Sequence, residues 1–189
     1  MQIVTAFDLA ICGIEELPSH GKRGVSHVVS ILDPEHLLPE AFADYDPHTR
    51  LELRFHDVIE DTPAQTAPQN EDVARILAFG RSLSEAEQAR LLVHCHAGIS
   101  RSTAAMALIL AQAHPEQSAD ALMRRILAQR EKAWPNLRML ELGDVILGRA
   151  DRLALASPAL YRHQLGIRPH LAEIMRRAGR GREIDAAGL

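Results

Sequence analysis

No apolar run in the 189-residue chain approaches 18 residues, so no membrane-spanning helix is expected. The opening Met1-Gln2-Ile3-Val4-Thr5-Ala6-Phe7-Asp8 lacks a basic region ahead of a hydrophobic stretch, which argues against a secretory signal. Only two cysteines occur, Cys12 and Cys95. A chain of this length does not need a disulfide, and a reducing, cytoplasmic compartment is the default. There is no excess of positive charge: 21 Lys plus Arg stand against 25 Asp plus Glu, a net −4. A protein held to nucleic acid by a basic surface is thereby disfavoured, though a local anion site is not. The one Cys/His cluster is His94-Cys95-His96, and three consecutive side chains do not converge on one tetrahedral metal.

What is present is ordinary globular composition, 47% hydrophobic and 24% charged. Such a chain makes one domain and removes about two-thirds of its unfolded surface from water. Ile3 to Phe7 reads as a short strand, and Asp8 as the cap of a brief helix or turn carrying Ile11, Ile14 and Leu17. A strand through Val25 to Leu32 stops at Asp33-Pro34, and Leu51 to Phe55 alternates as a half-buried strand does. Residues 62–70, with Pro63 and Pro68, are expected as loop and 71–83 as helix. Arg90 to His94 is short and apolar enough for the middle of a sheet, and the Ala-rich run Arg101 to Ala113 is a strong helix. Helices are expected over 117–132 and 137–149. Strands alternating with helices argue an α/β fold with a central, mostly parallel sheet flanked by helices.

The last stretch differs in charge. Residues 149–189 hold eight arginines and four acids, +4, which leaves −8 for residues 1–148. We expect a domain over 1–148 and an arginine-rich helical C-terminal extension over 149–189, packed on the same domain. A solvated face explains the arginines most simply; an anion-attracting rim or partner surface is the functional account, and the asymmetry does not choose.

The chemistry concentrates in one strand, one tight loop and one helix: Leu91 to His94, Cys95 to Ser100, and Arg101 onward. Backbone N–H groups of such a loop can face inward as a nest for an oxyanion, with the positive end of the helix behind them. Gly98 lets the loop curve with no Cβ in the way. Cys95 at the start of the nest would have its thiolate stabilised by the same field. Arg101 is placed to return across the loop, its planar fork matching two oxygens of a phosphate. Splitting a phosphate monoester needs an in-line nucleophile, donors around the equatorial oxygens and a proton for the departing oxygen. Cys95 suits the first, and Arg101 with the amides of His96, Ala97, Gly98, Ile99 and Ser100 the second. Ser102 can donate to the Cys95 sulfur, and His94 is expected to order the loop through backbone near Cys95.

The run Val93-His94-Cys95-His96-Ala97-Gly98-Ile99-Ser100-Arg101-Ser102 closely resembles the signature loop of cysteine-dependent protein phosphatases in their dual-specificity form. Pro135-Asn136-Leu137-Arg138-Met139-Leu140 is similar to that family's core-packing segment. The resemblance covers roughly residues 25–148. It implies the phosphatase-like fold and a two-step, metal-independent mechanism through a phosphocysteine, with no cofactor. By it Cys95 is the nucleophile, Arg101 the phosphate clamp and Ser102 the leaving-group assistant. The family's general acid is an aspartate following an earlier strand, some thirty residues before the cysteine. Asp57, at the strand's end and 38 residues before Cys95, is favoured over Asp61, with Glu60 a weaker third.

The loop interior carries no Lys or Arg, which disfavours highly phosphorylated inositol lipids. Phosphorylated protein (on tyrosine, serine or threonine) or a small phosphomonoester is the expected partner, not nucleic acid or membrane. With four Phe, two Tyr and one Trp, no aromatic stands out to wall a deep phosphotyrosine slot, so a shallow pocket is expected. Cys12, between Ile11 and Ile14, reads as core filler. Three function classes remain open: a phosphomonoester hydrolase; a phosphate- or phosphoprotein-binding module with the same loop and poor turnover; and sulfur or arsenate chemistry, against which Arg101-Ser102 and the upstream aspartate count.

Overall fold

Four parallel strands form the centre of the molecule, which a computed structural model describes over residues 8–83 and 89–189. They are β1 (Asp8–Cys12), β2 (His27–Leu32), β3 (Thr49–Arg54) and β4 (Arg90–His94), in the spatial order β1-β4-β2-β3. The expected strand over Ile3 to Phe7 lies outside the described residues. The expected turn or helix opening at Asp8 is instead β1, paired with β4 from Asp8↔Arg90 to Cys12↔His94. The helical spacing of Ile11, Ile14 and Leu17 arises because a strand end runs into a 3-10 turn, Ile14–Glu16, and a one-turn helix α1, Leu17–His20.

The remaining helices are α2 (Asn70–Leu83), α3 (Arg101–Ala113), α4 (Ala119–Gln129), α5 (Leu137–Leu147), α6 (Leu153–Ile167), α7 (Leu171–Arg177) and α8 (Gly181–Ala186). Strand alternation sorts the side chains into two layers. Val29, Ile31, Leu91 and Val93 face the large core beneath the helices, while Val28 and Leu92 face a smaller cluster with Cys12, Leu17, Val25 and Phe42. α3 is buried from Arg101 to Ala111 and apolar on every face from Ala104 to Ala111, so it sits in the middle of the helical layer. Among the described residues no helix is long and apolar enough to cross a membrane.

Residues 149–189 share that core. Leu153, Leu160, Tyr161, Leu165, Ile184 and Ala187 are buried in the same cluster as α3. Tyr161 stacks on Trp134 at 4.7 Å between ring centroids and donates to Pro135 O at 2.5 Å. The carboxylate of Asp144 caps α6, accepting from Leu153 N and Ala154 N at 2.9 Å each. The four described strands run the same way, so the residues just past their ends meet at one edge of the sheet. There Asp33 follows β2, Phe55-His56-Asp57 follow β3, and Cys95 follows β4.

Candidate active site

The loop after β4 is held from outside by its carbonyls. His96 O accepts from Ile14 N at 2.9 Å, Ala97 O and Gly98 O from Arg130 at 2.9 and 3.0 Å, and Ile99 O from Trp134 N at 2.9 Å. Ser100 O accepts from Ala104 N and Thr103 Oγ1. Arg130 is itself fixed by two bonds to Glu16, at 2.7 and 2.8 Å. With successive carbonyls turned outward, the amides of His96 to Arg101 turn inward, and no hydrogen bond within the described residues uses them. The loop is thus a nest of uncommitted donors at the start of α3. Gly98 makes the curve possible: its φ is +68°, and a Cβ there would lie 2.3 Å from Cys12 C.

Cys95 lies at the base of this nest, 2% exposed, with its Sγ 3.2 Å from Ser102 Oγ. Arg101 is also buried. Its NH1 donates to Asp33 Oδ1 at 2.7 Å and to Phe55 O at 2.5 Å, while its Nε is buried with no partner among the described residues. Arg101 is among the residues that line the cleft beside Cys95. The cleft has a volume of about 440 Å³; His96, Ala97, Ile99 and Ser100 are among the residues lining it, and no Phe, Tyr or Trp of the described residues does so. His96 stands at the rim, accepting from Asp33 N at 3.3 Å and packed edge-on against His36.

His94 also reaches beyond the loop to the neighbouring strand. Its Nε2 bonds Ser30 Oγ at 2.7 Å on the neighbouring strand, because β2 and β4 put Ser30 opposite His94. Burial lowers its pKa to about 4, against an opposing influence of the Cys95 backbone. The folded ring therefore stays neutral where the unfolded one, near 6.5, takes a proton. Stability is present above about pH 6.5 and is lost as pH falls toward 4, by about 3 kcal/mol over the window. Denaturant unfolding at pH 7 and pH 4.5 should show this loss, and His94→Asn should shrink it. An equal pH dependence in wild type and variant would contradict it.

Of the two aspartates only Asp57 lines the cleft. Its carboxylate accepts from Ser100 Oγ at 2.7 Å and Asn136 Nδ2 at 2.9 Å, yet its side chain remains 33% exposed toward the cleft. Asn136 does double duty, since its Oδ1 caps α5 by accepting from Met139 N at 3.1 Å. Burial pushes the Asp57 pKa up, but Arg180, Arg101 and the two hydrogen bonds outweigh it and hold the carboxyl below its ordinary value. Asp61 is 70% exposed and paired with Arg138 at 2.9 Å, away from the cleft. Glu60 pairs with Arg182. Cys12 is fully buried in the smaller cluster, where burial raises its thiol to about 12.

Asp33 and Arg180 join the site without having stood out in the sequence. Asp33 was legible only as the residue ending a strand, and in a parallel sheet that position is itself a signal. Arg180, one of eight arginines in the tail, carries no such mark. Among the described residues no group of three His, Cys, Asp or Glu is gathered to hold a metal ion.

The protein-tyrosine phosphatase family model matches residues 54–142, from the end of β3 into α5. Among solved structures the fold is similar to that of DUSP15, at 19% identity over 82% of this chain and 90% of that one, with a TM-score of 0.53. It is similar to Tk-PTP in its active form, at 20% identity over 78% of this chain and 95% of that one, with a TM-score of 0.54. Human DUSP28 matches at 16% identity over 74% of this chain and 88% of that one, with a TM-score of 0.56. No curated protein matches the sequence.

Proposed function

We propose that the chain is a dual-specificity-like member of the protein-tyrosine phosphatase superfamily, which its similarity to that family's model over residues 54–142 supports, and that it hydrolyses phosphate monoesters through a phosphocysteine. The observation that carries the reading is the nest itself: uncommitted amides from His96 to Arg101, Arg101 lining the same cleft, and a sulfur at its base. The Cys95 thiolate attacks phosphorus in line, forming an S–P bond as the P–O bond to the leaving group breaks. The departing oxygen takes the proton of Asp57. Water then attacks phosphorus, Asp57 takes its proton back, and phosphate leaves as the thiolate reforms, Ser102 Oγ donating to it from 3.2 Å. The amides and Arg101 hold the equatorial oxygens through both steps.

Asp57 is a carboxylate in the empty cleft, but a general acid must be protonated. A phosphate dianion entering beside Arg101 adds negative charge next to it, which opposes the pull of the arginines and favours the acid form. A lining without aromatics among the described residues suits phosphorylated protein side chains presented at a shallow cleft, or a small phosphomonoester. A second reading, a binding module that turns over poorly, draws on the same ion-paired Asp57.

The leaving group separates the two. With an alkyl or phenyl phosphate, Asp57→Asn should lose about 10²-fold or more in kcat/KM. For an activated nitrophenyl ester, which needs little protonation in the first step, kcat/KM should stay close to wild type even though kcat falls with the slowed second step, and Asp61→Asn should affect neither ester. Equal losses with both esters in Asp57→Asn would remove Asp57 from the acid's role. Binding of phosphate with no turnover of either ester by wild type would favour the module.

A further inference from the structure

The wall of the cleft opposite the loop comes from the C-terminal extension, through Met175, Ala178 and Arg180. Just past α7, Gly179 with a φ of +73° reverses the chain, and Arg180 N closes the turn on Met175 O at 2.9 Å. The Arg180 side chain is then almost wholly buried, although arginine is usually found in water. Its Nε and NH2 donate to Glu183 at 2.9 and 2.7 Å, and its NH1 faces Asp57 Oδ1 at 3.1 Å. Glu183 is fixed in turn by Trp134 Nε1 at 2.6 Å and Leu137 N at 3.0 Å. Every link in this chain is a charged or polar group held by donors from the core, so the guanidinium has one orientation available.

We infer that Arg180 is a positioning residue for Asp57: the α7–α8 turn of the extension carries it into the cleft, where it fixes the carboxylate and governs the pH range over which Asp57 hands on a proton. The inference rests on the phosphatase reading with Asp57 as the acid. Other charged and titratable groups also face Asp57. Arg101 acts from the start of α3, Cys95 and His96 from the loop, Asp33 from the end of β2 through Arg101, and His56 from the adjacent position. Arg180 and Arg101 are the cations among them that keep their charge at every working pH, and Arg101 is already engaged by Asp33 and Phe55 O. Removing Arg180 therefore takes away a fixed positive charge in contact with the carboxylate and leaves the phosphate nest intact.

The test compares pH–rate profiles of wild type, Arg180→Met and Arg180→Lys with phenyl phosphate, alongside ¹³C-carboxyl titration of Asp57. The upper limb, where the rate falls because Asp57 has lost its proton, should move up by about one pH unit or more in Arg180→Met. Above the wild-type limb the variant should then retain about tenfold more of its own maximal rate than wild type does. The Asp57 titration should move in the same direction. Arg180→Lys, which keeps the charge, should stay close to wild type. Should Arg180→Met not fold, Arg180→Gln, which can still donate to Glu183, carries the same expectation. A limb and a titration that stay in place in the neutral variants would overturn the inference, as would a raised KM with an unmoved limb, which would make Arg180 a substrate contact. If wild type turns nothing over while the titration still moves, the phosphatase reading fails and the hold of Arg180 on Asp57 stands.

Discussion

Replacing Cys95 with serine should lower kcat/KM for an aryl phosphate by about 10⁴-fold or more, since the displaced nucleophile has no substitute in the cleft. Ser102 lies 3.2 Å from the sulfur, but it stands at the start of α3 behind Cys95 and not at the mouth of the nest. A serine at 95 would be neutral at working pH, with its hydroxyl far less nucleophilic than a thiolate. Binding should respond differently. The amides of His96 to Arg101 and the Arg101 guanidinium are untouched by the change. Inorganic phosphate should therefore bind about as tightly as to wild type. Calorimetric titration beside steady-state kinetics checks both halves. Turnover within tenfold of wild type would rule out Cys95 as the nucleophile.

Gly98→Ala should cost about 3 kcal/mol or more of stability, combining a left-handed backbone with overpacking. Its φ is +68°, and the added Cβ would lie 2.3 Å from Cys12 C and 2.5 Å from both Cys12 O and Gly13 N. Those neighbours are backbone at the end of β1, paired to β4 right up to Cys12↔His94, so they cannot swing aside as a side chain would. Relief has to come from the loop, which would carry its amides out of the nest. Phosphate affinity should fall together with the unfolding midpoint, whereas a surface substitution would spare it. Wild-type stability and affinity in Gly98→Ala would show that the loop has room the structure does not give it.

Much of this site was legible because its chemistry is local. The segment from Leu91 to Ser102 supplies strand, nest, nucleophile and helix start within a dozen residues, and β4 and α3 run over the residues expected for them. Asp57 could be favoured over Asp61 because a strand end is held by the sheet, and it is Asp57 that lines the cleft. β1 was misread because Ile11, Ile14 and Leu17 lie on three successive short elements whose combined spacing imitates a helix. The partner of His94 was missed for a different reason: Ser30 is 64 residues away, brought opposite by strand register alone. Arg180 was beyond reach by the same logic. Nothing local separates it from its seven neighbours in the tail, and only the burial of Glu183 beneath Trp134 directs it to the cleft.

The central claim is the covalent step at Cys95, and rapid acid quench of Asp57→Asn with an activated aryl phosphate, followed by peptide mass analysis, tests it most directly. The predicted result is one phosphoryl group on the peptide containing Cys95, appearing in a burst and absent from Cys95→Ser. Turnover with no phosphoryl label on that peptide, or with the label on another residue, would contradict the account.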